Sequence, residues 1–174
     1  MPTPPFPFPF LPSPWYLLPS QLQVQHYNET QRYTLHVDTL ESWPNRRVAT
    51  VLMYLNDVDS GGETFFPLAS DVDGLAAAAL RTYGPGVGAD LERTGTLPGL
   101  GDVGDYCGPD PRLPSLRVTP RAGDAILFYS LTPGGALDSA AIHGSCPVVE
   151  GEKWVSQVRW PAFNRPLGNR HACD

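Results

Sequence analysis

The chain has no dense block of lysine and arginine. Twelve basic residues stand against 18 acidic ones in 174, a formal net charge of −6. A nucleic-acid binder needs a basic footprint to displace counterions from phosphates, so no nucleic-acid partner is expected. No run reaches the roughly 18 apolar residues that a membrane span needs. The first residues lack a basic segment followed by an apolar stretch, so no targeting signal is visible. The three cysteines, Cys107, Cys146 and Cys173, form no CxxC pair, which argues against a structural zinc site. They leave room for one disulfide and one free thiol. Long helical patterns are missing too, and only residues 75–80 read as a short helix.

What is present in quantity is proline and glycine, 20 and 17 residues, in a chain that is 41% hydrophobic and 17% charged. That composition predicts a globular domain of short strands with frequent turns. Residues 1–20 hold eight prolines with alternating Phe-Pro steps. They are expected to form an extended or disordered tail, because proline can neither continue a helix nor donate to a sheet ladder. From residue 21 a single domain is expected to run to 174. Strand candidates follow at 22–27, 33–38, 48–55, 63–66, 116–119, 124–130, 140–145 and 153–160. The 48–55 run is continuously apolar, as in a strand buried on both faces. The Asp/Gly turn at 56–62 reads as closing a hairpin onto 63–66. Residues 69–115 break the rhythm with Gly/Pro-rich sequence and read as a largely disordered insert. About eight strands with almost no helix fit an all-β jelly roll or barrel.

The chemistry-bearing pattern is His36 and Asp38, two residues apart among strand formers. On a strand such side chains share a face, with Cα atoms about 6.6 Å apart. Of the other histidines, His171 lies in the terminal tail and His26 has no acidic neighbour in the sequence. His143, within a late strand, is the natural third ligand. Two imidazoles and one carboxylate leave coordination positions open, the donor set of non-haem Fe(II) oxygenases. Ten residues after His143 comes Lys153. An inward lysine is costly unless it meets an anion. The dicarboxylate 2-oxoglutarate supplies one, and Tyr27 and Thr64 can add hydroxyl donors. If residues 140–145 and 153–160 pair through a tight turn at Glu150-Gly151, His143 and Lys153 face opposite sides. An odd loop or a bulge near Pro147 would be needed to bring both inward.

These residues sit in flanking sequence that resembles the prolyl 4-hydroxylases of the collagen and plant/algal type, which are Fe(II)- and 2-oxoglutarate-dependent dioxygenases. The matching segments are 33–38 (YTLHVD), 47–67 (RVATVLMYLNDVDSGGETFFP), 120–129 (PRAGDAILFY) and 143–154 (HGSCPVVEGEKW). Apart from the insert, the resemblance covers roughly residues 22–160. It implies a double-stranded β-helix (jelly-roll) core. It implies that His36, Asp38 and His143 hold iron and that Lys153, assisted by Tyr27 and Thr64, binds 2-oxoglutarate. Tyr33 and Trp160 would line the peptide groove, Trp160 one residue further from Lys153 than the family spacing. Cys146 and Cys173 would form a disulfide. The family's catalytic domain normally has helices and strands before the first strand seen here, where this chain has its Pro/Phe-rich segment.

The activity implied is hydroxylation of peptidyl proline at C4, coupled to oxidative decarboxylation of 2-oxoglutarate to succinate and CO2. O2 is consumed and ascorbate keeps the iron reduced. The partner implied is a Pro-rich peptide or protein, collagen-like or a hydroxyproline-rich wall glycoprotein. The location implied is the endoplasmic reticulum or secretory pathway. The alternatives are an oxygenase acting on another residue, or an inactive jelly roll serving as a peptide-binding module. Nothing in the sequence sets an oligomeric state.

Overall fold

The computed structural model describes residues 21–40, 46–69 and 101–161. Residues 1–20, 41–45, 70–100 with the expected 75–80 helix, and 162–174 with His171 and Cys173 lie outside the described residues.

Ten strands occur among the described residues. They are β1 (Gln23–Tyr27), β2 (Tyr33–His36), β3 (Arg47–Tyr54), β4 (Ser60–Gly61), β5 (Thr64–Phe66), β6 (Leu116–Val118), β7 (Ala125–Tyr129), β8 (His143–Ser145), β9 (Val148–Glu150) and β10 (Lys153–Pro161). All pairings are antiparallel, and they build two four-stranded sheets in the orders β1-β10-β3-β7 and β2-β8-β5-β6. The short pair β4-β9 forms a third ladder. The two large sheets face each other. Phe66 of β5 packs edge-on against Phe128 of β7 with centroids 5.3 Å apart. The Tyr54 hydroxyl of β3 donates to Thr64 Oγ1 of β5 at 2.8 Å. This is the jelly-roll arrangement, and it hides most backbone donors and acceptors in ladders.

The expected hairpin between 48–55 and 63–66 does not form. β3 belongs to the first sheet and β5 to the second, so the 56–62 turn carries the chain across the sandwich. Gly61 and Gly62, both at positive φ, make that crossing possible. A Cβ on Gly61 would lie 2.3 Å from the Pro147 carbonyl oxygen, too close for any other residue. The turn at 120–123 forms as read, with the Asp124 N–H donating to the Arg121 carbonyl and Gly123 at positive φ. The expected 140–145 strand is shorter. A 3-10 turn over Ser139–Ala141, capped by the Asp138 carboxylate accepting from the Ala140 N–H, occupies its first half.

Strand alternation splits the apolar residues between two cores. Leu52, Tyr54 and Val155 pack between the sheets with Tyr27, Val118 and Ile126. Leu35, Phe65, Leu68, Ile142 and Cys146 pack with Val103, Tyr106 and Leu137 in a second cluster. Phe65 alternates with Thr64 and Phe66, so its ring lies behind the second sheet. There it stacks on Tyr106 at 5.0 Å. The part of the insert that is described is therefore structured, contrary to its composition. A four-residue helix, α1 (Val103–Tyr106), covers the back of the sheet. Asp102 and Asp105 close a capping box on it: Asp102 Oδ1 accepts from the Gly104 N–H, and Asp105 Oδ2 accepts from the Asp102 N–H.

A disulfide fixes this layer, and it is Cys107–Cys146, not the expected Cys146–Cys173. Cys107 follows α1 directly, and burial of Val103 and Tyr106 delivers its sulfur to Cys146. That apolar anchoring was hidden by the low-complexity look of the insert.

Candidate active site

The open metal set assembles as the sequence predicts. Ligand atoms of His36, Asp38 and His143 all lie within 4.8 Å of one another. His36 ends β2, Asp38 follows two residues on, and His143 opens β8, the neighbouring strand paired to β2 at His36↔His143. Each imidazole is anchored through Nδ1 to the carbonyl two residues earlier, His36 to Thr34 at 3.0 Å and His143 to Ala141 at 2.9 Å. An Nδ1–H donated to a carbonyl leaves the Nε2 lone pair for a cation. Burial holds both imidazoles below the ordinary histidine range, although the Asp38 carboxylate pulls each of them up. They are therefore neutral at neutral pH, the form that ligates.

Asp38 is buried, and both its carboxylate oxygens are engaged. Thr50 of β3 donates its hydroxyl to Oδ2 at 2.6 Å. The Arg159 Nε of β10 lies 3.1 Å from Oδ1, and His36 Nε2 lies 3.8 Å from that same oxygen. Burial pushes the Asp38 carboxyl up, but the Arg159 guanidinium and the Thr50 hydroxyl oppose this, and the group is held below the ordinary carboxylate range. Because both imidazoles are neutral, Arg159 is the fixed charge among these. The Arg47 guanidinium steadies the backbone here by donating to the Asp38 carbonyl at 3.0 Å.

Lys153 is 2% exposed, so it is no solvated strand-end residue. Its Nζ donates to the Gly62 carbonyl at 2.6 Å and to Ser145 Oγ at 2.7 Å. The rings of Tyr27 and Tyr54 lie 5.6 and 5.7 Å from it. Burial lowers Lys153 to about 8, with Glu63 opposing the shift. The expected conflict of register between His143 and Lys153 does not arise. β8 and β10 are in opposite sheets, joined through β9, so both side chains enter the interior from facing walls without a bulge.

One cavity is lined by His36, His143, Lys153, Tyr27, Tyr33 and Thr64 together with Arg159. It thus unites two of the expected metal ligands, the expected lysine anchor, both expected hydroxyl donors and one expected groove residue. Thr64 is buried under the Tyr54 hydroxyl, and the Tyr27 hydroxyl donates to Gln25 Oε1 at 3.1 Å. Tyr33 stands at the mouth, partly exposed, its ring centroid 4.3 Å from that of His36. Trp160 is not there. The register of β10 is unbroken from Lys153 to Trp160, and seven residues of separation put Trp160 on the opposite face. His26, which has no acidic neighbour in the sequence, finds one in space: Glu152 Oε2 is 2.8 Å from its Nε2.

The same alternation shows what sequence reading missed. Residues 153, 155, 157 and 159 share the inner face, so Gln157 and Arg159 were identifiable as cavity residues once Lys153 was placed inward. Thr50 and Ser145 carried no comparable signal, because their roles depend on cross-strand and cross-sheet neighbours.

A jelly roll that sets a carboxylate beside two neutral imidazoles, with those imidazoles and a buried lysine lining one cavity, defines the class of metal-dependent oxygenases with open coordination positions. Residues 22–160 match the family model of the 2OG-Fe(II) oxygenase superfamily, and the chain belongs to that family. It is 35% identical over 171 residues to a protein of Arabidopsis thaliana named probable prolyl 4-hydroxylase 7, an alignment covering 91% of this chain and 45% of the relative. It is 38% identical over 144 residues to probable prolyl 4-hydroxylase 10 of the same plant, covering 80% of this chain and 40% of the relative. The chain thus spans less than half the length of these curated relatives. A solved structure, the viral collagen prolyl hydroxylase from Paramecium Bursaria Chlorella virus-1, superposes with a TM-score of 0.53 at 21% identity. That match covers 82% of this chain and 56% of the viral one, and it supports the fold.

Proposed function

We propose that this chain carries out 2-oxoglutarate-dependent 4-hydroxylation of peptidyl proline, with release of succinate and CO2. The observation that carries the proposal is the convergence of His36, Asp38 and His143 beside a cavity that two of them share with a buried, anion-seeking lysine on the facing wall. The names of its plant relatives support proline as the residue modified.

The donor set fits Fe(II). Nε2 of His36, Nε2 of His143 and a carboxylate oxygen of Asp38 would hold it, and three protein ligands leave room for co-substrate and O2. Iron bound there supplies the oxygen-activating chemistry, which the side chains alone cannot perform. Lys153 holds the distal carboxylate of 2-oxoglutarate. Tyr54 and Thr64 form a hydrogen-bonded floor beside it, and Tyr27 covers it with an aromatic face. Burial keeps this end dry, which strengthens the ammonium–carboxylate attraction. Tyr33 at the mouth offers an aromatic surface to a proline ring.

Ascorbate fits the proposal as the reductant that rescues iron oxidised in unproductive turnover. The Cys107–Cys146 bridge supports residence in an oxidising compartment, the endoplasmic reticulum or secretory pathway, where such bonds persist. The substrate partner is a Pro-rich extended chain. The test is 2-oxoglutarate decarboxylation with added Fe(II), with and without a poly-proline peptide, and mass spectrometry of the peptide. Peptide-stimulated succinate and a gain of one oxygen per modified proline are expected. Full succinate formation by His143→Ala would overturn the proposal.

A further inference from the structure

The Arg159–Asp38 contact is unexpected in a metal site. The Asp38 oxygen that faces His36 is the same oxygen that Arg159 Nε approaches. The other oxygen is taken by Thr50. A cation sitting among His36, Asp38 and His143 must therefore share Oδ1 with a guanidinium. Both partners are withdrawn from water, with side chains 10% and 2% exposed. Their attraction, and the repulsion between the guanidinium and any incoming dication, are little screened there.

We propose that Arg159 is a positioning residue that stands in for the metal. It neutralises the buried Asp38 carboxylate when no cation is bound, and it lowers the site's affinity for divalent cations. This rests on the metal-site reading above. The physical argument has two parts with the same sign. Without Arg159, the metal-free chain loses the guanidinium paired with its buried carboxylate and is destabilised. Without Arg159, the metal-bound chain loses a like-charge neighbour and is stabilised. Both changes tighten metal binding. A purely orienting role has the opposite sign: losing the guanidinium would let Asp38 wander and weaken the site. Arg159 itself is held for this work. Its strand is the long central one, its side chain shares the inner face with Lys153, Val155 and Gln157, and its NH1 donates to Gln23 Oε1 of β1.

The experiment uses the full chain and Mn2+ as the probe, with affinity read by electron paramagnetic resonance of free Mn2+. Arg159→Gln is expected to bind Mn2+ at least about tenfold more tightly than wild type, given a dication and a guanidinium this close in a poorly screened site. Arg159→Lys keeps the charge and is expected to stay within about threefold of wild type. The Tm of Arg159→Gln is expected to fall without metal and to recover on saturation with Mn2+. A structural role alone lowers it in both states. Unchanged or weaker Mn2+ binding by folded Arg159→Gln overturns the inference. A second measurement needs no variant: the Arg159 Nε–H resonance in wild type is expected to move when diamagnetic Zn2+ is added. An unmoved resonance at saturation overturns the inference while leaving the metal site intact. If neither wild type nor variant binds Mn2+, the metal-site reading fails and takes this inference with it.

Discussion

The ammonium of Lys153 and the hydroxyl of Ser145 lie 2.7 Å apart although their strands belong to opposite sheets. This bond spans the sandwich at the Lys153 end of the cavity. Ser145 shares its strand face with His143, two residues earlier, so the bond ties the lysine wall to the metal wall. Among the described residues, Lys153 hydrogen-bonds to neutral oxygens, those of Gly62 and Ser145.

That arrangement fixes a pH dependence. Lys153 sits at about 8 in the folded chain against 10.5 as a free side chain. Between those values the unfolded chain binds a proton that the folded chain does not, so stability rises with pH across that window. Below about 8 the buried charge costs its full amount. The slope attributable to this group is at most about 1.4 kcal/mol per pH unit. Affinity for 2-oxoglutarate should behave oppositely, falling as pH rises past about 8 and the ammonium is lost. Urea unfolding from pH 7.5 to 10, beside calorimetric titration of 2-oxoglutarate over pH 7 to 9, reads both. Lys153→Met is expected to flatten the first profile and abolish the second. A Met variant that binds 2-oxoglutarate as wild type does would remove Lys153 from the site.

Thr50 offers a contrast with Arg159. It is a neutral donor on Asp38 Oδ2, and it leaves Oδ1 turned toward His36. Its loss removes orientation without removing charge. Thr50→Val keeps the shape, and is expected to cost about 1.5–3 kcal/mol of stability, the range for a hydrogen bond to an ionised group. Mn2+ affinity should fall by roughly ten- to a hundredfold, as for other groups that orient a metal ligand. Denaturant melts and Mn2+ titrations check the two effects separately. Unchanged Mn2+ affinity would mean that the strand ends alone orient Asp38.

Much of the site was legible in the sequence because it rests on strand parity. His36 and Asp38 were expected to converge from an i, i+2 spacing, and they do. An inward Lys153 was expected because a dicarboxylate co-substrate would offset the cost of burying its ammonium, and the side chain is buried. What escaped was set by which sheet each strand joins, and no local spacing encodes that. The 56–62 turn looks like a hairpin and is a crossing. The His143–Lys153 register problem vanished for the same reason. Cys107 was hidden by composition: burial of Val103 and Tyr106 against the second sheet orders a segment whose Gly and Pro content suggests otherwise. Arg159 was within reach, since the parity that places Lys153 places it too.

The Cys107–Cys146 bridge gives a direct test of that ordered layer. It joins the residue after α1 to the residue after β8, the strand that carries His143, across 39 residues. Closing a loop of that length contributes about 4 kcal/mol in the chain-entropy model. Reduction, or Cys107→Ser, is expected to lower stability by about 2–4 kcal/mol in denaturant melts. Peptide mapping under oxidising conditions should recover Cys107 linked to Cys146, with one thiol per chain reactive after denaturation. Recovery of a Cys146–Cys173 peptide instead would show that α1 does not hold Cys107 in place.

Tyr33 and Trp160 were both expected at the peptide groove, and the structure separates them. Tyr33 lines the cavity mouth, its ring 4.3 Å from that of His36. Trp160 lies on the outer face of its strand, an odd number of residues from Lys153 in unbroken register. An aromatic ring that stacks on a substrate proline should act on binding. Its loss is expected to raise KM for a Pro-rich peptide by roughly two- to tenfold, the worth of one aromatic contact. Tyr33→Ala should show that rise with kcat changed little, because no proton or ligand function is assigned to its hydroxyl. Trp160→Ala should leave peptide KM unchanged, and any effect should appear as lost stability. Steady-state kinetics with a proline peptide, run beside thermal melts of both variants, separates the two roles. A KM effect at Trp160 equal to that at Tyr33 would mean that the peptide runs over the outer face of the first sheet, and the cavity mouth would then not be the point of entry.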